Sequence, residues 1–269
     1  MTEARQPAES ELIPEEPFLR WYEALRQRQM SDLTFPEVRR GVQALSATYV
    51  QSRKTRLESA LSGAGKRAAF AMFYAPLHFL LIQAIVRELG EEARAVTKIL
   101  DLGCGTGVGG AAWALEHGGR PRVRGIERNA WAVGEARWNY RQLRIDGRVD
   151  QRDLGDVGLS TKGSGVIMAF TANELEDSVR TDLKDRLIGA SLEGGHILIV
   201  EPIALRLLPW WTAWAEDFEA IGGIAREWKF RANLPQELHL MDRAAGLDHQ
   251  FLTGRSLWLP GKKHHASDP

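Results

Sequence analysis

The stretch Ile99-Leu100-Asp101-Leu102-Gly103-Cys104-Gly105-Thr106-Gly107 joins an apolar run, a carboxylate and three alternating glycines within nine residues. No other segment limits the fold as strongly. Leucine and isoleucine ahead of the acid suit a strand covered on both faces, and the glycines let the backbone turn sharply and approach a ligand closely. A helix is expected to follow from Val108 through Leu115.

Two cofactor classes use such a loop. Gly105, Gly107 and Gly110 satisfy the G-x-G-x-x-G pattern of dinucleotide sites, with Glu127 at a suitable distance downstream. Asp101 separates the two readings. At the mouth of the loop a carboxylate would repel a pyrophosphate, whereas S-adenosylmethionine carries an ammonium, a sulfonium and no phosphate. The loop is therefore expected to take S-adenosylmethionine.

From Thr97 onward strands and helices alternate, the signature of a parallel sheet covered on both faces. The pattern predicts strands over 97–102, 122–127, 147–151, 165–170 and 196–201, and helices over 108–117, 129–143, 178–191 and 210–221. Strands around Arg226–Arg231 and Arg255–Leu259 are expected to pair as an antiparallel hairpin. Ahead of the sheet, Phe18, Leu19, Trp21, Tyr22 and Leu25 recur at helical spacing, and Pro36 opens a second helix through Val38, Val42, Leu45, Tyr49 and Val50. Ala68 to Leu89 reads as an apolar helix or a helix pair divided at Pro76. These patterns divide the chain into a disordered lead (1–16), a helical region acting as lid or substrate platform (17–90), a cofactor-binding domain (91–260) and a flexible tail (261–269).

Ligands of such sheets lie at the carboxyl ends of the strands, so the candidates are strand-end residues. Asp101, Gly103, Cys104, Gly105 and Gly107 form the loop. Glu127 closes the next strand, where a carboxylate can accept both ribose hydroxyls, with Arg128 beside it. Trp131 either lays its indole on adenine or belongs to the core with Trp113 and Trp138. Asp153, with Leu154 next to it, is expected to accept from the adenine amino group, and Asp150 competes for that role. At the acceptor side Asn173 and Glu174 can position a nucleophile or take its proton, or can cap the helix that follows. Tyr74 is expected to face the same acceptor. Glu201-Pro202 is a further mouth position. His78 and His196 read as structural.

Lysine plus arginine equals aspartate plus glutamate, 35 each, so the whole chain offers no general attraction to nucleic acid or membrane. The balance is uneven along the chain. Arg39, Arg40, Arg53, Lys54, Arg56, Lys66 and Arg67 face one acid, Glu58, between Val38 and Ala75. The single cysteine, Cys104, excludes an internal disulfide and an all-cysteine metal site, and a reducing cytoplasm is the expected compartment. The apolar stretch Ile197–Trp214 is interrupted by Glu201, Pro202, Arg206 and Pro209 and does not read as a membrane span.

Asp101 to Gly107 together with Glu127 resembles the class I S-adenosylmethionine-dependent methyltransferases over roughly residues 90 to 260. The resemblance implies a Rossmann-like α/β sheet of seven strands, mostly parallel with the last antiparallel, and a methyltransferase activity whose acceptor the loop does not specify. Absence of Asn-Pro-Pro-aromatic or Asp-Pro-Pro-aromatic after the fourth strand makes an exocyclic base amine or a glutamine amide a less favoured acceptor. A narrower resemblance rests on Phe70-Ala71-Met72-Phe73-Tyr74-Ala75-Pro76, Ala172-Asn173-Glu174-Leu175 and Leu198-Ile199-Val200-Glu201-Pro202. These look like the methyltransferase-like proteins of the small ribosomal subunit of mitochondria and bacteria. That likeness implies contact with RNA or an assembling subunit through Arg39, Arg40, Arg53, Lys54 and Arg56; the same residues also read as a solvated helix face. Members of that family commonly carry a cysteine cluster for a metal centre, which one cysteine cannot supply. Three functions follow for test: a methyltransferase, a ribosome-associated factor that binds the cofactor with little turnover, and a dinucleotide enzyme.

Overall fold

The computed structural model describes residues 11–51, 61–117, 121–155, 157–159, 163–204 and 208–262. Its strands form one eight-stranded sheet. In chain order they are β1 (Glu11–Leu12), β2 (Lys98–Leu102), β3 (Arg122–Glu127), β4 (Gly147–Gln151), β5 (Ser164–Ala169), β6 (His196–Glu201), β7 (Ile224–Ala232) and β8 (Phe251–Leu259). The spatial order is β1-β7-β8-β6-β5-β2-β3-β4. Five strands from β4 to β6 are mutually parallel, and β8 runs antiparallel to both β6 and β7. This is the Rossmann-like sheet expected from the alternating pattern. An eighth strand, β1, is added at the edge.

The central strands β2, β5 and β6 are buried on both faces, which is why they read as apolar runs, while β4 and β7 toward the edges keep exposed positions. Successive side chains point to opposite faces. In β6, Leu198 and Val200 join one core while Ile197 and Ile199 join the other. The first core packs against α1 (Glu16–Gln29), α2 (Phe35–Gln51), α3 (Ala64–Ala69), α4 (Ala75–Leu89), α6 (Val108–Glu116), α7 (Ala130–Gln142) and α10 (Gln236–Ala244); a short α5 (Glu91–Arg94) precedes β2. The second packs against α8 (Asp177–Leu192) and α9 (Trp211–Glu219), where Leu183, Leu187, Trp211, Trp214 and Phe218 are buried.

Several expectations change. The lead assigned to 1–16 as disordered contains β1, whose Glu11 and Leu12 lie in register with Arg231 and Ala232, and the first residue of α1. Of the two readings of Ala68 to Leu89, the single helix is observed, continuous through Ala64–Leu89 with a π turn at Phe70–Tyr74 in place of a break at Pro76. Pro76 has no N–H for the carbonyl of Met72, and its ring would crowd that carbonyl; the wider turn opens the ladder there. This 26-residue helix has the length and apolarity to cross a membrane, yet 89% of its most apolar window is buried in the fold. The expected hairpin between the last two strands is present and longer, with α10 in its connection. At the other end, Gly261 and Lys262 of the expected tail are tied by N–H bonds to His196 Nδ1 (3.3 Å) and the Ser191 carbonyl (3.0 Å).

Candidate active site

The parallel strands end along one edge, and the loop after β2 leaves that edge between β3 and β5. Gly103 has φ +64°, and a Cβ there would lie 2.3 Å from Thr171 Cγ2, so only glycine allows the two strand-end loops to meet. Thr171 Oγ1 lies 3.1 Å from the Gly103 carbonyl oxygen and 3.0 Å from that of Ala169, and its single proton serves one at a time. Gly105 differs. Its φ is +51° with no atom within 4 Å of a built Cβ, so the loop backbone faces open space at this point. That is where a ligand can lie directly on the peptide.

Glu127 ends β3 and is nearly buried. Its Oε2 accepts the Gly105 N–H at 3.0 Å and its Oε1 the Asn129 N–H at 2.7 Å. Each carboxylate oxygen has a second lone pair, so two ligand hydroxyls can still be accepted. Asn129 then caps α7, its side chain accepting from Ala132 N at 3.1 Å.

Asp101 is not at the mouth. Its carboxylate is only 2% exposed, turned beneath α6, where Oδ2 accepts the Gly110 N–H at 2.7 Å. Burial pushes its carboxyl up to about 7, opposed by that bond and reinforced by the charge of Glu127. Asp101 thus fixes the start of α6, and the acid that meets the mouth is Glu127. Cys104 is also turned inward: a Cβ on Gly125 would lie 2.6 Å from its Sγ and 3.1 Å from the Tyr140 hydroxyl. Burial raises the thiol pKa, leaving it protonated.

The remaining candidates spread along the edge. Arg128 and Asp153 are exposed, while Leu154 is half-buried against the second core. Trp131 is half-buried, with the Phe70 ring edge-on at 6.4 Å and the Arg67 guanidinium 5.8 Å from its centroid. Trp131 thus packs against the first core, the second of its two readings. Asn173 and Glu174 lie in a 3₁₀ turn (Ala172–Glu174), and neither caps α8 with its side chain; Glu176 occupies that position. Glu201, 1% exposed at the end of β6, accepts the Ala172 N–H at 3.0 Å and also those of Thr171 and Asn173. Burial nonetheless pushes its carboxyl up to about 8.

Tyr74 lies on the π segment, its hydroxyl bonded to Ser46 and its pKa pushed up to about 12 by burial. His78, read as structural, stacks on Phe170 with centroids 3.8 Å apart and ring planes 19° from parallel. Phe170 has φ +56°, a left-handed backbone rare for an aromatic residue and held by the strand-end turn. Burial pushes His78 down to about 3, so its imidazole is neutral at physiological pH. Phe70 joins the two ends, lying 6.3 Å from Tyr74 and 6.4 Å from His78. Nothing in the local sequence marks His78, because its partner is 92 residues away in another element.

Asp248, His249 and Gln250 line a polar cleft of about 330 Å³ near the ends of β1 and β7. Among the described residues no group of His, Cys, Asp and Glu is arranged to hold a metal ion.

Residues 80–201 match the family model of the methyltransferase small domain. Among solved structures, an O-methyltransferase family protein from Burkholderia thailandensis is 16% identical with a TM-score of 0.49, covering 92% of this chain and 72% of that one. Magnesium protoporphyrin IX methyltransferase from Synechocystis PCC 6803 with bound S-adenosylmethionine is 15% identical with a TM-score of 0.44, covering 68% and 78%. A S-adenosylmethionine-dependent O-methyltransferase from Thermotoga maritima is 15% identical with a TM-score of 0.45, covering 68% and 66%. No curated protein matches the sequence. Residues 80–201, which hold the loop after β2 and the carboxylate at the end of β3, match a methyltransferase domain.

Proposed function

We propose that the protein transfers the methyl group of S-adenosylmethionine to a nucleophile seated between Tyr74, His78, Phe170 and Asn173. The contact of Thr171 with Gly103 carries this reading, because it sets the β5 strand end directly against the cofactor loop. Gly103, Gly105 and Glu127 would hold the cofactor, Glu127 through the ribose hydroxyls, with Trp131, Arg128 and Asp153 flanking the adenine end. When bound, the cofactor supplies an activated methyl on a sulfonium. The chain's part is alignment of the nucleophile and exclusion of water, for which the aromatic rings from Phe70 to Phe170 form the walls. A neutral His78 adds no positive charge beside the sulfonium. The helical region 17–90 supplies Phe70, Tyr74 and His78 and is in this reading the substrate platform.

We further propose that the acceptor is RNA of the small ribosomal subunit in the cytoplasm. The narrower sequence likeness supports this, as do Arg39 and Arg40, both exposed on α2; Arg53, Lys54 and Arg56 lie outside the described residues. Phosphate contacts of this kind would make co-sedimentation with small subunits weaken steeply with salt.

Calorimetry with S-adenosylhomocysteine tests the cofactor half. Wild type should bind, and Gly105→Arg should fold but not bind, since the new side chain enters open space over the loop. A wild type that fails to bind, or a Gly105→Arg variant that binds equally, would overturn the assignment. A labelled-methyl assay on RNA, protein and metabolite fractions then locates the acceptor; label outside RNA would overturn that choice.

A further inference from the structure

The first helix reaches the cofactor loop through one relay. Trp21 of α1, 1% exposed, donates its indole N–H to Asn139 Oδ1 at 2.8 Å across 118 residues of sequence. Asn139 of α7, 2% exposed, donates its amide N–H to the carbonyl of Thr106 at 2.8 Å. Thr106 is the residue between Gly105 and Gly107. Both bonds are buried, and the acceptor at the end is a backbone atom of the loop on which the ligand would lie.

The rest of α7 backs the same loop. A Cβ on Gly107 would lie 2.8 Å from the Tyr140 ring and 2.9 Å from Ala136 Cβ, so the loop sits flush on this helix. In turn, α1 grips α7 at a second point. Arg28 donates to both oxygens of Glu135 at 2.9 and 2.7 Å, Gln29 adds a bond at 3.0 Å, and the Arg28 guanidinium lies 4.7 Å from the Trp138 ring centroid. Two anchors one turn apart on α7 fix its rotation, and with it the direction in which Asn139 points.

We propose that Trp21 and Asn139 are positioning residues for the cofactor: α1 sets the Gly105–Gly107 backbone by orienting the Asn139 amide. Resting on the S-adenosylmethionine reading above, this makes the first helix part of the cofactor site rather than only a cover over the acceptor. Without the Trp21 donor the Asn139 amide loses the bond that fixes its rotamer. The Thr106 carbonyl then loses a fixed partner, and the peptide that must lie against the ligand samples other orientations.

The test compares S-adenosylhomocysteine affinity with thermal stability in wild type, Trp21→Phe, Asn139→Ala and Tyr22→Phe. Trp21→Phe keeps an aromatic ring in the core and removes the donor together with some ring volume, a packing loss that lowers the melting temperature without by itself changing Kd or loop exchange. Tyr22→Phe is the control on the same helix, because the buried Tyr22 hydroxyl has no hydrogen-bond partner and no connection to the loop. Loss of one neutral buried hydrogen bond corresponds to an affinity change of about three- to tenfold. Kd should rise by about that factor in Trp21→Phe and by at least as much in Asn139→Ala, with Tyr22→Phe unchanged. Amide hydrogen exchange at Gly105–Gly107 should quicken in the same two variants. Trp21→Phe and Asn139→Ala that lower the melting temperature but leave Kd and loop exchange at wild-type values would overturn the proposal alone. A wild type that binds no S-adenosylhomocysteine would overturn the cofactor reading and the proposal together.

Discussion

Glu201 and Asp101 show how a carboxylate at a strand end can act on the backbone rather than on a ligand. Glu201 receives three consecutive N–H groups of the turn that carries Asn173, and Asp101 receives the first turn of α6. Both are pushed up by burial, Glu201 from 4.5 to about 8 and Asp101 from 3.8 to about 7. For a raised carboxyl the folded state keeps its proton while the unfolded state loses it, so stability falls as pH rises between the two pKa values and levels above the upper one. For Glu201 the window runs from about pH 4.5 to pH 8. Glu201→Gln should therefore gain in melting temperature relative to wild type as pH rises from 5 to 8.5. A constant difference across that range would refute the assignment. The type of residue at each of these positions was readable in the sequence, while the direction of its side chain was not. Alternation along β2 puts Asp101 on the same face as Ile99, toward α6, and only the packed helix shows that this face is closed.

At the level of elements, strand identity was the most legible feature, because burial on both faces leaves long apolar runs with little ambiguity of type. The β2, β3, β4 and β6 boundaries fall within one residue of expectation. Besides β1, two further features escaped. The π turn at Phe70–Tyr74 has no local signature beyond Pro76, which by itself signals a break, and α10 hides in the long connection to β8. The π turn matters to the site, since it carries Phe70 and Tyr74. Packing between elements gives a direct test at Gly165 of β5, where a Cβ would lie 2.6 Å from the buried Trp113 ring of α6. Trp113 cannot retreat easily, as its indole N–H donates to the Ala93 carbonyl at 2.6 Å. Gly165→Ala should cost about 1–3 kcal/mol by overpacking, read from urea unfolding. An unchanged midpoint would show that α6 sits loosely on the sheet.

Across the whole molecule, the helical region and the sheet share one core. Phe18, Trp21 and Leu25 are at most 1% exposed, and Phe18 and Trp21 each lie 5.4 Å from the Phe79 ring of α4. Truncating Phe18 to alanine should cost about 3–5 kcal/mol in a single cooperative transition. Loss of only a separate early transition would instead mark α1 and α2 as an independent unit. A lid that opens freely is hard to reconcile with that packing, whereas a platform built into the core is not. The amino-acid sequence by itself determined the sheet and the loop after β2, because these depend on the spacing of neighbouring residues; its charge argument for the cofactor set Asp101 at the mouth, where the fold brings Glu127 instead. Only the tertiary structure decided that Glu127 and not Asp101 turns to the Gly105 peptide, that His78 stacks on Phe170 at the end of β5, and that Trp21 reaches the loop after β2 through Asn139. Those facts depend on which helix face meets which strand end, and contacts between residues 20 to more than 100 positions apart leave no periodic trace in either partner.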